Sequence, residues 1–148
     1  MRQSQTVLEI ATRRAGLHDI TNEVVSWVAL QGIGEGLLTV FIRRTSASLL
    51  IQENADPTVQ ADLEAHFRRL VPEQPGLYRH DTEGPDDMAA HIRTALTQVS
   101  LAIPVRDGRP VLGTWQGINV WEHRAAPHRR QVVLHLLGEH QSTSAQTF

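Results

Sequence analysis

Apolar residues in this chain recur with two different periods, and the order in which those periods appear limits the fold. Period two or β-branched runs predict early strands over Gln5 to Ala11, Leu37 to Arg43 and Ser48 to Gln52. Late strands are predicted over Ser100 to Val105, Val111 to Trp115, Ile118 to Trp121 and Gln131 to Leu137. Helical spacing occurs three times. Ile20, Val24, Trp27 and Val28 share one face behind a cap from Asp19 or Thr21, and the glycines at 32, 34 and 36 end that helix. Asp56-Pro57 starts a second helix, because aspartate accepts from free N–H groups and proline fits the first helical position. Val59, Leu63, Phe67 and Leu70 follow on one face, and Pro72 and Pro75 stop it. Pro85-Asp86-Asp87 opens a third helix to about Thr97, with Met88, Ile92, Ala95 and Leu96 as its apolar face. Asp107-Gly108 is a hairpin turn signal. Strands, then helices, then strands without regular alternation predict an α+β fold. The expectation is a compact single domain over 1–148, with a mostly antiparallel sheet, about three helices and a polar tail after about 138.

Composition removes several classes of function. A chain of 148 residues can bury a core without a disulfide or a structural metal. With no cysteine there is no thiol nucleophile and no Cys-based zinc site. A formal charge of −2 lacks the basic surplus of a phosphate-backbone binder, so nucleic acid is not an expected partner. The start, MRQSQTVLEI, has no basic stretch followed by a long apolar core, and no run approaches the length of a membrane span. The expected location is the cytoplasm. The eight histidines point elsewhere, because imidazole is the usual metal ligand and proton shuttle near neutral pH.

No phosphate loop, dinucleotide glycine pattern, nucleophile elbow or His-Glu-x-x-His is present. Three polar clusters remain. In the first, Arg44 to Asp56, the residues Glu53, Asn54 and Asp56 stand where a strand hands over to a helix; they either hold a cation or proton there, or serve the cap and turn. The second, Tyr78 to His91, carries His80, His91 and four carboxylates, which fits a metal or acid–base site; alternatively His91 is a satisfied core residue and His80 is solvated. In the third, Gly113 to Arg130, period two places Gln116, Glu122 and Arg124 on one side with Ile118 and Val120. Charges in that setting are paired or face a cavity, unless the strand is an edge with one solvated face.

These clusters, in this order, resemble the YjbQ family, known as a secondary thiamine-phosphate synthase family. The pieces that carry the resemblance are RTSASLLIQENADPTV, YRHDTEGPDDMAAHI, SLAIPVRDGR and LGTWQGINVWEHR, and it runs from about Gln5 to Gly138. The resemblance implies a compact α+β fold, a homotrimer with pockets where subunits meet, and a histidine triad suited to a metal, two members of which match His80 and His91. Glu53, Asn54, Asp56, Gln116 and Glu122 fall on family positions close to that triad. The third histidine is replaced here by Arg44, which has donors only and cannot ligate a cation. A divalent metal, magnesium or zinc, is therefore expected to bind less well, while a phosphate gains a partner.

The activity implied is a transferase joining a pyrimidine diphosphate to a thiazole phosphate. Arg44, Arg124 and Arg130 would bind phosphate in such a phosphorylated substrate, and Glu53, Asp56 and Asp87 could hold magnesium. Two rival readings stand beside it: a metal-dependent hydrolase or lyase with His80 and His91 as ligands and Glu53 as general base, and a non-enzymatic trimeric small-molecule binding protein.

Overall fold

The computed structural model describes residues 1–142. Eleven elements follow one another: β1 (Arg2–Thr12), β2 (Gly16–Asp19), α1 (Thr21–Ala29), β3 (Ile33–Ile42), β4 (Ala47–Glu53), α2 (Pro57–Leu70), α3 (Asp87–Leu96), β5 (Ser100–Arg106), β6 (Arg109–Pro110), β7 (Gln116–Glu122) and β8 (His128–His140). They build an α+β fold of two antiparallel sheets, one of five strands in the order β1-β8-β3-β5-β6 and one of three in the order β2-β7-β4.

The core lies between the sheets. Leu38, Val40 and Ile42 of β3, Leu101, Ile103 and Val105 of β5, and Val132, Leu134 and Leu136 of β8 point inward from the large sheet. Leu49 of β4 and Ile118 and Val120 of β7 meet them from the small one, and Ile20, Val24 and Val28 close the layer from α1. Each such side chain contributes about 1.5–3 kcal/mol relative to exposure, which is why alternate residues along every core strand are apolar. At one crossing the backbones themselves touch. Gly36 pairs with Gly138, and a Cβ on Gly138 would stand 2.1 Å from the carbonyl oxygen of Glu35.

Local chemistry sets the element ends. Asp56 accepts from the Thr58 N–H at 2.9 Å and Pro57 begins α2, as the Asp-Pro pair predicts. Asp107 and Gly108 both have positive φ and close the β5–β6 hairpin. Elsewhere the sequence reading needs correction. Of the three glycines expected to end α1, only Gly32, at φ +69°, follows the helix; Gly34 and Gly36 lie inside β3. Val111 to Trp115 is not a strand, because the Gln116 side chain accepts from the Gly113 N–H and holds that stretch as a turn. β2 was not foreseen, since Gly16–Asp19 is too short to show a period. β8 runs on to His140, into the stretch read as a polar tail; the remainder of that tail, 143–148, lies outside the described residues.

The largest difference is the buried face of α3. The expected stripe of Met88, Ile92, Ala95 and Leu96 is half-buried or exposed, while Asp87, Ala89, Ala90, Arg93 and Thr94 are enclosed. Two alanines let the helix approach closely, and the two charged residues are paired: Arg93 lies 3.6 Å from the Glu73 carboxylate and donates to the Val71 carbonyl, and Asp87 takes Arg124. Paired charges can occupy a buried face that a hydrophobicity pattern assigns to solvent.

Candidate metal centre

The start of α3 gathers four side chains that together could hold a metal ion. Asp87 is in the first helical turn and His91 is four residues on, so both project from one side of the helix. The preceding loop carries His80 and Glu83 to the same place. His80 Nε2 is 2.8 Å and His91 Nε2 is 3.1 Å from Asp87 Oδ2, and Glu83 Oε2 is 3.6 Å from His80 Nε2. One donor atom from each of the four lies within 4.8 Å of the others. The two imidazole rings are 5.6 Å apart, nearly edge to face.

Neighbours fix each of these groups. Asp87 is 2 % exposed, and its Oδ1 accepts from Arg124 Nη1 at 2.9 Å. Burial alone would raise its pKa, but the bond from His80 and the charges of His91 and Arg124 outweigh burial and hold the carboxyl below its ordinary range. The same bond to Asp87 raises His80. Asp86, the residue before the helix, does not cap it. Its carboxylate is turned instead to Arg124 Nε and the Ala125 N–H. His91 Nδ1 is 3.0 Å from the Thr45 carbonyl, an acceptor, so Nδ1 must carry a proton. Nε2 is then the ring nitrogen turned to Asp87 Oδ2, 3.1 Å away.

The other predicted site residues are distributed as follows. Arg44 is exposed at the turn between β3 and β4, and it lines a cavity of about 450 Å³ together with His91. His80 borders a second cavity, of about 290 Å³, with Tyr78 and Met88. Glu53, Asn54, Asp56 and Gln116 are at the far end of β4 from Thr45, a strand of seven residues spanning about 20 Å. There Glu53 accepts from the Asp56 N–H at 2.9 Å and Gln116 pairs with Glu53 across the sheet. Within one chain these four do not meet the histidines, and Asp87 does not meet Glu53 or Asp56 to form an oxygen-only magnesium cage.

Glu122 and Arg130 form an enclosed pair, linked to the histidine cluster through the Arg124 N–H, which donates to Glu122 Oε2 at 3.2 Å. β7 is the middle strand of its sheet, not an edge, and every residue from Gly117 to Glu122 is buried, so both of its faces are covered. Arg130 Nε donates to Glu122 Oε1 at 2.7 Å, its Nη2 to Oε2, and Thr12 adds a hydroxyl bond. Burial would raise Glu122; Arg130 and Thr12 together hold it low. Arg124 and Arg130 thus already carry carboxylate partners, and Arg44 alone among the three predicted phosphate-binding arginines has none among the described residues.

Sequence reasoning brought forward His80 and His91, counted Glu83 only among the four carboxylates of their cluster, and left out Thr45. Glu83 had a signal, three residues after His80 in a loop that leads into the helix. The Thr45 carbonyl had none, since every residue has one.

The model of a family described as "UPF0047 protein YjbQ-like" matches residues 6–139. A UPF0047 protein, sll1880, from Synechocystis sp. is 54% identical over 138 residues, covering 93% of this chain and 94% of that protein. The UPF0047 protein YjbQ of Salmonella typhimurium is 44% identical, covering 91% and 98%. Among solved structures, the conserved hypothetical protein TT1486 from Thermus thermophilus superposes with a TM-score of 0.80 at 34% identity, covering 89% of this chain and 99% of that one. A protein from Sulfolobus solfataricus, with a TM-score of 0.81 at 23% identity, is described as YbjQ-like and of unknown function. None of these descriptions names thiamine chemistry. The thiamine-phosphate synthase activity implied by the sequence resemblance is therefore corrected: these comparisons support a family of unknown function, not that transferase.

Proposed function

The chain belongs to the UPF0047 family of YjbQ-like proteins, and from that premise we propose that His80, Asp87 and His91 hold a divalent transition metal, with Glu83 as a further donor, as its working site. One observation carries the reading: His80, Glu83, Asp87 and His91 each present a donor atom within 4.8 Å of the others, and the Nδ1 bond to Thr45 leaves Nε2 as the His91 nitrogen turned toward that group. Two imidazoles and a carboxylate suit zinc or iron(II) better than magnesium, which prefers oxygen. Such an ion supplies Lewis acidity and lowers the pKa of a water in a remaining open position.

The chain's own residues do the positioning. Arg124 holds Asp87 by the oxygen that faces away from the histidines, and Thr45 sets the tautomer and tilt of His91. Calorimetry of chelator-treated protein with zinc tests the assignment. The expected result is one site per chain, lost in the His80→Ala, His91→Ala double variant; equal binding by that variant overturns it.

We propose the homotrimer as the assembled form. What supports it is the uncovered outer face of the five-stranded sheet, where Val7, Leu37, Phe41 and Leu137 are exposed and Val7, Val133 and Phe41 stand in one cross-strand row. Assembly is also the means by which Glu53, Asn54 and Gln116 of a neighbouring copy could reach the centre. A cytoplasmic location is proposed with it; no helix among the described residues is long and apolar enough to cross a membrane.

A further inference from the structure

The cavity beside the metal centre has a chemistry of its own. It measures about 450 Å³, and no carboxylate lines it. Arg44 is at its edge, and Thr45, His91 and Thr94 with Ala95 and Val99 complete most of its wall. Arg43, the neighbour of Arg44, donates to Gln131 Oε1 at 3.1 Å, whereas Arg44 has no ion pair and no side-chain hydrogen bond among the described residues. A second polar group is unmatched as well. Thr94 is 6 % exposed, and its hydroxyl oxygen is buried without a hydrogen-bond partner. Buried hydroxyls are nearly always paired, and a threonine on a helix has two χ1 positions open to it, one exchanging its methyl for its hydroxyl.

We infer that this cavity takes a small organic carboxylate, with its head on the Arg44 guanidinium and a short apolar body against Ala95 and Val99. The inference adds a ligand class to the metal reading and rests on it only through the shared wall residue His91. A guanidinium matches a carboxylate in charge and in its paired N–H geometry. One guanidinium neutralises a monoanion, while inorganic phosphate near neutral pH carries further charge and nothing to fill the apolar wall.

The test is amide NMR on the full chain, before and after chelator treatment, with 3-methylbutanoate as the probe and its neutral amide and inorganic phosphate as comparisons. Saturable shifts at Thr94 and Val99 are expected with the carboxylate in both states of the protein. Arg44→Gln should weaken binding roughly tenfold, as loss of a charge-assisted pair does. Arg43→Gln should leave it unchanged, and matching spectra without ligand establish that both variants are folded. Equal binding of the amide, tighter binding of phosphate, full affinity in Arg44→Gln, or equal loss in Arg43→Gln would overturn the inference, as would the absence of saturable shifts in the parent. His80→Ala separates the two readings: it should lose zinc but keep the carboxylate, and loss of the carboxylate there would tie the ligand to the metal and end the independent cavity.

Discussion

His91 donates from Nδ1 to the carbonyl oxygen of Thr45 at 3.0 Å. The bond joins α3 to the turn that enters β4 and decides which ring nitrogen is left for chemistry. In nitrogen NMR of histidine-labelled protein, zinc should therefore shift Nε2 of His80 and His91 while Nδ1 of His91 stays protonated. Asp87→Asn should lower zinc affinity by roughly tenfold or more, because it removes the charge on which both rings converge. Zinc shifts confined to other histidines would assign the metal elsewhere.

Acid should destabilise the fold through His123. This residue is buried, and burial first, then the Arg93 charge, pushes its pKa down to about 3. The unfolded chain takes up that proton near 6.5 and the folded chain only near 3, so stability is lost as pH falls through that interval. Between pH 6.5 and 5 the loss is about 2 kcal/mol at most. Glu122, held low, adds loss of the same sign as pH falls below its unfolded value, 4.5. His80, held high, acts in the opposite direction but from an exposed position, where solvent screens it. Urea denaturation across this range should show the fall, and His123→Asn should flatten its upper part. An unchanged slope in that variant would place the titrating group elsewhere.

The Glu122–Arg130 pair predicts an asymmetric response to mutation. Arg130→Met leaves a carboxylate at 0 % exposure without its partner and should cost about 3–5 kcal/mol. Arg130→Met with Glu122→Leu removes both charges and should recover most of that loss. Chemical denaturation of the three proteins measures it.

Light scattering at micromolar concentration should give the mass of three chains. Phe41→Glu and Leu37→Glu, placed on the uncovered sheet face, should shift the mass toward one chain without lowering far-UV ellipticity. A trimer unaffected by both changes would locate the subunit contact on another surface.

What could be read from sequence was mostly local. Asp56-Pro57 and Asp107-Gly108 state their geometry within two residues, and β3, β5 and β8 show their period because one face is uniformly apolar. The buried face of α3 could not be read, because Asp87 and Arg93 are made tolerable there by Arg124, Val71 and His80, all outside the helix. His80 and His91 were legible as a pair through their shared cluster. Their separation from Glu53 was not, since a motif fixes spacing along the chain but not the direction in which β4 carries its far end away.

Gly36 and Gly138 set a limit on how this sequence can drift. The atom that a new Cβ would strike at position 138 is a main-chain oxygen, and at position 36 it is the Leu137 carbonyl oxygen, 2.3 Å away. Neither obstacle belongs to a side chain, so no second substitution nearby can make room. A lineage that loses either glycine must slip the pairing of β3 with β8 or bulge one strand, and a slip of one residue would turn the inward row of Leu134 and Leu136 outward. Two codons that encode no side chain are therefore among the least exchangeable in the chain.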